Sequence, residues 1–318
     1  MKLQIKGISN VTLLLTLLMF VAACSDSFSN EDLVEKPRFN SKQIEFSFES
    51  YDQESKNIIK ERVDKVFDSE FLSKLNNKKL IDVKTLGVVG DGVTNNTSKL
   101  QEILNSVVVN GGGAIFIPAG VYLTNPLTVY SNTVIYGEGA ASVIKLLPQN
   151  LEPAEHWAIL RMKGTPDNKI RNVHIKNLFI DGNKDKHVGK PGSFHETVTF
   201  DWGENSSITN LTIVDTIHNG IQVDGARNIL IANNTIINAD GWGIHLSDNG
   251  EGFERRTEDT LVVNNVVMNS GFRTNRGGID QNPSSANNIF INNLAKDNSI
   301  NYEIHNNTRA YKNNISIN

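Results

Sequence analysis

From Ile81 onward the chain reads as short apolar runs broken by Gly, Asn and Asp, with almost no helical period after Val109. Ala114-Ile115-Phe116-Ile117, Asn172-Val173-His174-Ile175, Asn228-Ile229-Leu230-Ile231 and Thr235-Ile236-Ile237 are typical, and their lengths suit strands. Ahead of them, Ile58, Ile59, Val63, Val66, Phe67, Phe71 and Leu75 recur at helical spacing among charges. That spacing predicts an amphipathic helix between Gln53 and Leu75. Its expected place is over the open N-terminal end of the strand array, where a first coil exposes apolar side chains and unpaired edges.

The strands also repeat. Asn233-Asn234, Asn264-Asn265, Asn292-Asn293 and Asn313-Asn314 each sit between two apolar runs, at successive spacings of 31, 28 and 21 residues. Units of this size cannot bury their own apolar face, so they must stack. Stacking sets each Asn above the next, where the side-chain amides can bond as a ladder and satisfy the turn backbone.

The N-terminus supplies a separate signal. Lys2 and Lys6 precede an apolar stretch, Val11 to Val21, and then Ala22-Ala23-Cys24. The stretch is short for a membrane span of about 20 residues, which favours an export signal. It resembles a bacterial lipoprotein signal, in which Cys24 would be acylated and the protein anchored to the outer membrane, on its periplasmic or cell-surface side. Cys24 is the single cysteine, which leaves the mature chain no disulfide and no thiolate metal site. The plan is therefore a signal peptide at 1–23, a polar tether at 24–50, a helical cap segment at 51–80 and a strand array at 81–318. A net charge of -4 gives no nucleic-acid signature, and a monomer is expected.

The segment from Ile81 carries Asp82-Val83, Gly87, Gly90-Asp91-Gly92, a short helix from Thr97 to Val109, Gly111-Gly112-Gly113, and Pro118-Ala119-Gly120 with Tyr122. In that order these marks resemble the opening segment of the pectate-lyase-like superfamily, which includes family 28 glycosidases, phage tailspikes and mannuronan C5-epimerases. The resemblance implies an all-β fold, a single-stranded right-handed parallel β-helix with an N-terminal helical cap. It speaks to scaffold more than to chemistry. Asp181-Gly182-Asn183, Asp185 and Lys190 are similar to a stretch of the epimerases whose Lys lies at the active site. The epimerase Asp-Pro-His-Glu motif, however, is replaced by Gln222-Val223-Asp224-Gly225. The paired Asp-Asp, Gly-His-Gly and Arg-Ile-Lys marks of family 28 are absent as well.

Aligning the double-Asn turns places Thr199, Gln222, His245, Asp280 and His305 on one outward ladder, and Asp201 and Asp224 on a second, with Ile221, Ile244, Ile279 and Ile304 inward. A solvated strand face seldom stacks so many His and Asp residues, so the ladders mark a candidate site. The loop that leads into the first ladder strand adds Lys190 and His195. Arg255, Arg256 and Arg276 offer planar forks for sugar carboxylates, and Trp202 and Trp242 offer stacking surfaces.

The reading favoured by these residues is β-elimination on an acidic polysaccharide, with His245 or Lys190 as base and the arginines neutralising the uronate. Asp201 and Asp224 would alternatively hold Ca²⁺, or act as the two carboxyls of a glycoside hydrolase. A surface lipoprotein that captures glycans without cleaving them is the non-catalytic alternative.

Overall fold

The computed structural model describes residues 51–78, 80–148, 150–151, 157–189, 195–248, 252–272, 275–305 and 307–318. Cys24, the tether and Lys190 lie outside the described residues.

The strands stack in parallel as a right-handed β-helix. Seven of them form one sheet, labelled here β1 (Leu127–Val129), β2 (Trp157–Lys163), β3 (His195–Asp201), β4 (Ile221–Asp224), β5 (Ile244–Ser247), β6 (Gly277–Gln281) and β7 (Ile300–Glu303). Among the described residues, a 17-stranded sheet makes the other sides of the coils.

The Asn pairs divide two tasks between their members. Asn233, Asn264, Asn292 and Asn313 take left-handed φ values of 53–57° and turn the corner, a conformation Asn tolerates better than other side-chain-bearing residues. The second members point inward. Asn234 Nδ2 donates to Asn265 Oδ1 at 2.9 Å, Asn265 to Asn293 at 3.0 Å and Asn293 to Asn314 at 2.8 Å. The ladder expected from the sequence is present.

The helical segment departs from expectation in two ways. It is two helices, α1 (Gln53–Val66) and α2 (Ser69–Asn76), because the Asp68 carboxylate caps a fresh N-terminus by accepting from Glu70 N and Phe71 N. Nor does it cover the end of the coil stack. Ile59, Val63 and Val66 pack on Leu230, Ala232, Leu261, Val263, Ile289 and Ile291, on the outer flank of the large sheet. Those strands are apolar on both faces because a helix covers the outer one.

The end is closed instead by α3 (Thr97–Val109), which buries Leu100, Ile103, Leu104 and Val107 against the first coil. Its Gln101 side chain accepts from Thr128 N at 2.9 Å and donates to Thr128 O at 3.1 Å. One amide thus does for the edge of β1 what a further strand would do.

Ile59 is fully buried under this flank. Ile59→Ala is expected to cost about 2–4 kcal/mol in urea unfolding. A loss well below about 1 kcal/mol would show that α1 is not part of the cooperative fold.

Candidate functional site

Along β2 to β5, Leu160, Met162, Val198, Phe200, Ile221, Val223, Ile244 and Leu246 point into the core. Alternation turns Arg161 and Lys163, Thr199 and Asp201, Gln222 and Asp224, and His245 and Ser247 to the other face. Register is direct: Arg161 pairs with Thr199 and Lys163 with Asp201. Thr199 and Asp201 then pair with Gln222 and Asp224, which pair with His245 and Ser247. His245 pairs in turn with Asp280.

On this face lies a groove of about 400 Å³, lined by Arg161, Lys163, Glu196, Thr199, Asp201, Trp202, Gln222, Asp224 and Arg255. At its floor are two carboxylates in different settings. Asp201 is clamped: Arg161 Nη2 lies 3.2 Å from Oδ2 and Arg255 Nη2 lies 3.2 Å from Oδ1. Asp224 receives Gln222 Nε2 on Oδ2 at 3.1 Å, with Arg255 Nη2 3.5 Å from the same oxygen. Its Oδ1 is buried without a hydrogen-bond partner. Burial raises the Asp224 pKa above the ordinary carboxylate range, and the neighbouring Asp201 charge adds to the rise. The opposing pull of Arg255, of a Ser247 hydrogen bond and of His245 does not cancel it. Gly225, at φ 58°, leaves room for the cover. A Cβ there would lie 2.9 Å from Arg255 Cγ and 3.1 Å from the Trp202 ring.

The ladder is therefore present but is not a solvated face. Asp201, Asp224, His245 and Asp280 are 7, 1, 4 and 3% exposed, because side chains from the flanking loops lie over them. His245 is covered: the Trp242 ring stacks on it at 3.7 Å, Arg276 stacks on the other side of Trp242 at 3.8 Å, and His245 Nδ1 is bonded to Asp280. His245 does not line the groove, and Trp242 is not an open sugar platform.

Three further expectations are corrected. His305 is off the ladder, since β7 ends at Glu303 and Glu303 pairs with Asp280. Tyr302 fills the inward slot opposite Ile279, its hydroxyl donating to Asn293 O at 2.7 Å, which shifts the last coil by two residues from the sequence alignment. Arg256 turns away to pair with Glu258 at 2.5 Å. His195 is buried at the start of β3, near His187, and does not line the groove.

Arg161, Lys163 and Glu196 line the groove but were not among the residues singled out from the sequence. Extending the ladder one coil back through Leu160-Arg161-Met162-Lys163 would have found the two cations. Glu196 pairs with buried His218 at 3.4 Å, a contact with no sequence signal.

Asp201 and Asp224 do not fit a Ca²⁺ site. That ion takes six to eight oxygens, whereas here the Arg255 guanidinium already lies against both carboxylates. The described residues contain no cluster of three or more His, Cys, Asp or Glu placed to hold a metal.

Stacked parallel coils with a charged groove across one sheet define a right-handed parallel β-helix protein with a polar surface cleft. The chain belongs to the rhamnogalacturonase A/epimerase, pectate lyase-like family, whose profile matches residues 80–318. It is similar to mannuronan C5-epimerase AlgE5 of Azotobacter vinelandii, 24% identical over 225 residues, 60% of this chain and 22% of that protein. Alginate lyase 7 of the same organism is 27% identical over 140 residues, 42% of this chain and 16% of that protein. The matched region is 15–22% of the length of the first three epimerase relatives. Among solved structures, pre-mature bacteriophage phi29 gene product 12 shares the fold with a TM-score of 0.57 at 20% identity, covering 74% of this chain and 32% of that one.

Proposed function

We propose that this protein cleaves an acidic polysaccharide by hydrolysis, with Asp224 as general acid and Asp201 as the partner carboxylate. What carries the reading is the split between two carboxyls on neighbouring strands: one is buried and has its pKa raised, the other lies against two guanidinium groups. A glycosidase needs that division of labour. Asp224 would protonate the leaving glycosidic oxygen. Asp201 would activate water or attack the sugar carbon.

Because Arg255 lies over both carboxyls, substrate reaches Asp224 only if that side chain swings aside. An anionic sugar offers the guanidinium a new partner as it leaves. Arg161 and Lys163 add positive charge on the same wall of the groove, which supports an acidic rather than neutral glycan.

β-Elimination is the second reading. It is favoured by the three cations of the groove, which would stabilise the anion formed on loss of the C5 proton, and by the similarity to an alginate lyase. Its bases fit less well: His245 is covered by Trp242, and Lys190 lies outside the described residues. The test is a panel of uronic-acid and sulfated polysaccharides, with and without chelator, assayed for reducing ends and for ultraviolet absorbance. Hydrolysis predicts reducing ends, no absorbance and no effect of the chelator. Rising absorbance would replace the hydrolase with a lyase, and a strict calcium requirement would restore the metal.

The reading places the enzyme outside the cytoplasm on a lipid anchor at Cys24, a proposal supported by the sequence pattern alone. Cys24→Ser should abolish fatty-acid labelling in a bacterial host. Undiminished labelling would remove the anchor.

A further inference from the structure

Arginines on and beside the groove divide by their partners. Arg161 and Arg255 meet Asp201, and Arg256 meets Glu258. Arg276 meets none of these. It is half-buried, yet among the described residues its guanidinium has neither an ion-pair partner within reach nor a hydrogen-bond acceptor. Its contact is the face of Trp242, 3.8 Å from the ring centroid. Burial lowers its pKa, and the charges of Asp280 and Glu303 oppose that fall only from a distance.

A cation over an indole gains about 0.5–2 kcal/mol, which does not replace its lost hydration or use its five donors. The Nε1–H of the same indole is also buried without an acceptor. The guanidinium over the indole is thus left with donors for an anionic oxygen.

The position is built. Trp242 N donates to Asn219 Oδ1 at 2.9 Å, and Asn219 Nδ2 donates to Gln222 Oε1 at 2.5 Å, which ties the Trp242 backbone to the groove floor. Beneath it the His245 ring lies parallel, at 6°. Arg276 N donates to Gly271 O at 3.0 Å, and Gly271, at φ 84°, brings its chain so close that a Cβ would lie 1.8 Å from Arg276 O. This loop therefore has little freedom at Gly271.

We propose that Arg276, carried on Trp242, is a receptor for an anionic substituent of the glycan, a carboxylate or a sulfate ester, two coils away from the strand of Asp224. Arg276 directly precedes β6, and coil spacing of about 4.8 Å puts that strand roughly 10 Å from β4. A di- or trisaccharide spans such a distance. The inference rests on the groove's being a glycan site, as proposed above, and adds the requirement for a second acidic residue beyond the point of cleavage. It gives Arg276 a part in binding and specificity, while Asp201 and Asp224 carry the chemistry.

The test is calorimetric binding to the full protein bearing Asp224→Asn, so that no ligand is consumed. Three probes are used: a five-residue oligouronide, a sulfated oligogalactoside of equal length and a neutral oligoglucoside. Against this background, Arg276→Gln should weaken the preferred acidic probe by about tenfold or more, as loss of a charge-assisted hydrogen bond predicts. Arg276→Lys should recover part of the loss, and binding of the neutral probe should not change. The stronger of the two acidic probes identifies the substituent. Near-ultraviolet circular dichroism of Trp242 and a thermal melt report whether the fold survives. Equal affinity with and without the Arg276 guanidinium, in a folded variant, would overturn the subsite and leave the hydrolase reading standing. If no probe binds even with Arg276 intact, both fall together.

Discussion

Asp224→Asn is expected to lower kcat by about 10³-fold, within the range that a positioned general acid contributes, without destabilising the fold. The two effects have one origin. Asp224 has a folded-state pKa raised above its ordinary 3.8 by burial, so the folded chain binds its proton more tightly than the unfolded chain does. Stability from this group is present at low pH. It declines as pH rises from the unfolded pKa towards the raised folded one, where the carboxyl must ionise in a buried place. Asn carries no such penalty and retains the donor and acceptor geometry. At pH 8 the variant should melt at or above the temperature of the native protein, and at pH 4 the difference should shrink. A variant that keeps full activity, or one that is less stable at pH 8 than at pH 4 relative to the native protein, would contradict the assignment. The native enzyme should also lose activity on its alkaline side as Asp224 gives up its proton.

Arg255→Gln carries the second large effect. A guanidinium that contacts Asp201 at 3.2 Å and Asp224 at 3.5 Å, with its side chain 14% exposed, offsets the repulsion between them. Removing it takes a counter-charge from Asp201, and breaking a buried ion pair costs about 3–5 kcal/mol. Since Arg255 pulls the Asp224 pKa down, its loss should drive that pKa higher. The alkaline fall in activity then moves to higher pH while kcat/KM drops by about 10²-fold. An unmoved pH profile would mean that Arg255 does not act on Asp224.

The sequence carried the coil because the signal was repeated: each Asn pair names the same corner, and one misread copy does not spoil the rest. It also carried α3, whose boundaries at Thr97 and Val109 match the structure. The floor of the groove followed from register, since Asp201, Gln222 and Asp224 stand where period-two alternation puts them, and Asp280 continues the ladder beyond it. What register cannot give is what lies above the floor. Trp242 and Arg255 come from loops whose course depends on tertiary contacts, and these side chains decide that His245 is covered while the Asp201–Asp224 pair borders a groove. His305 stands off the ladder because Tyr302, not Ile304, takes the inward slot opposite Ile279, which alternation alone does not reveal. The α1 helix was legible as amphipathic, but its apolar face did not name its partner. The doubly apolar Leu261-Val262-Val263 and Ile289-Phe290-Ile291 were the overlooked indication that a flank needed covering.

Cleavage in ¹⁸O-labelled water, with fragments weighed by mass spectrometry before the anomeric oxygen exchanges, tests the central claim most directly. Action through Asp224 and Asp201 predicts one ¹⁸O at each new reducing end and saturated sugars throughout. Unlabelled reducing ends paired with unsaturated non-reducing ends would contradict it.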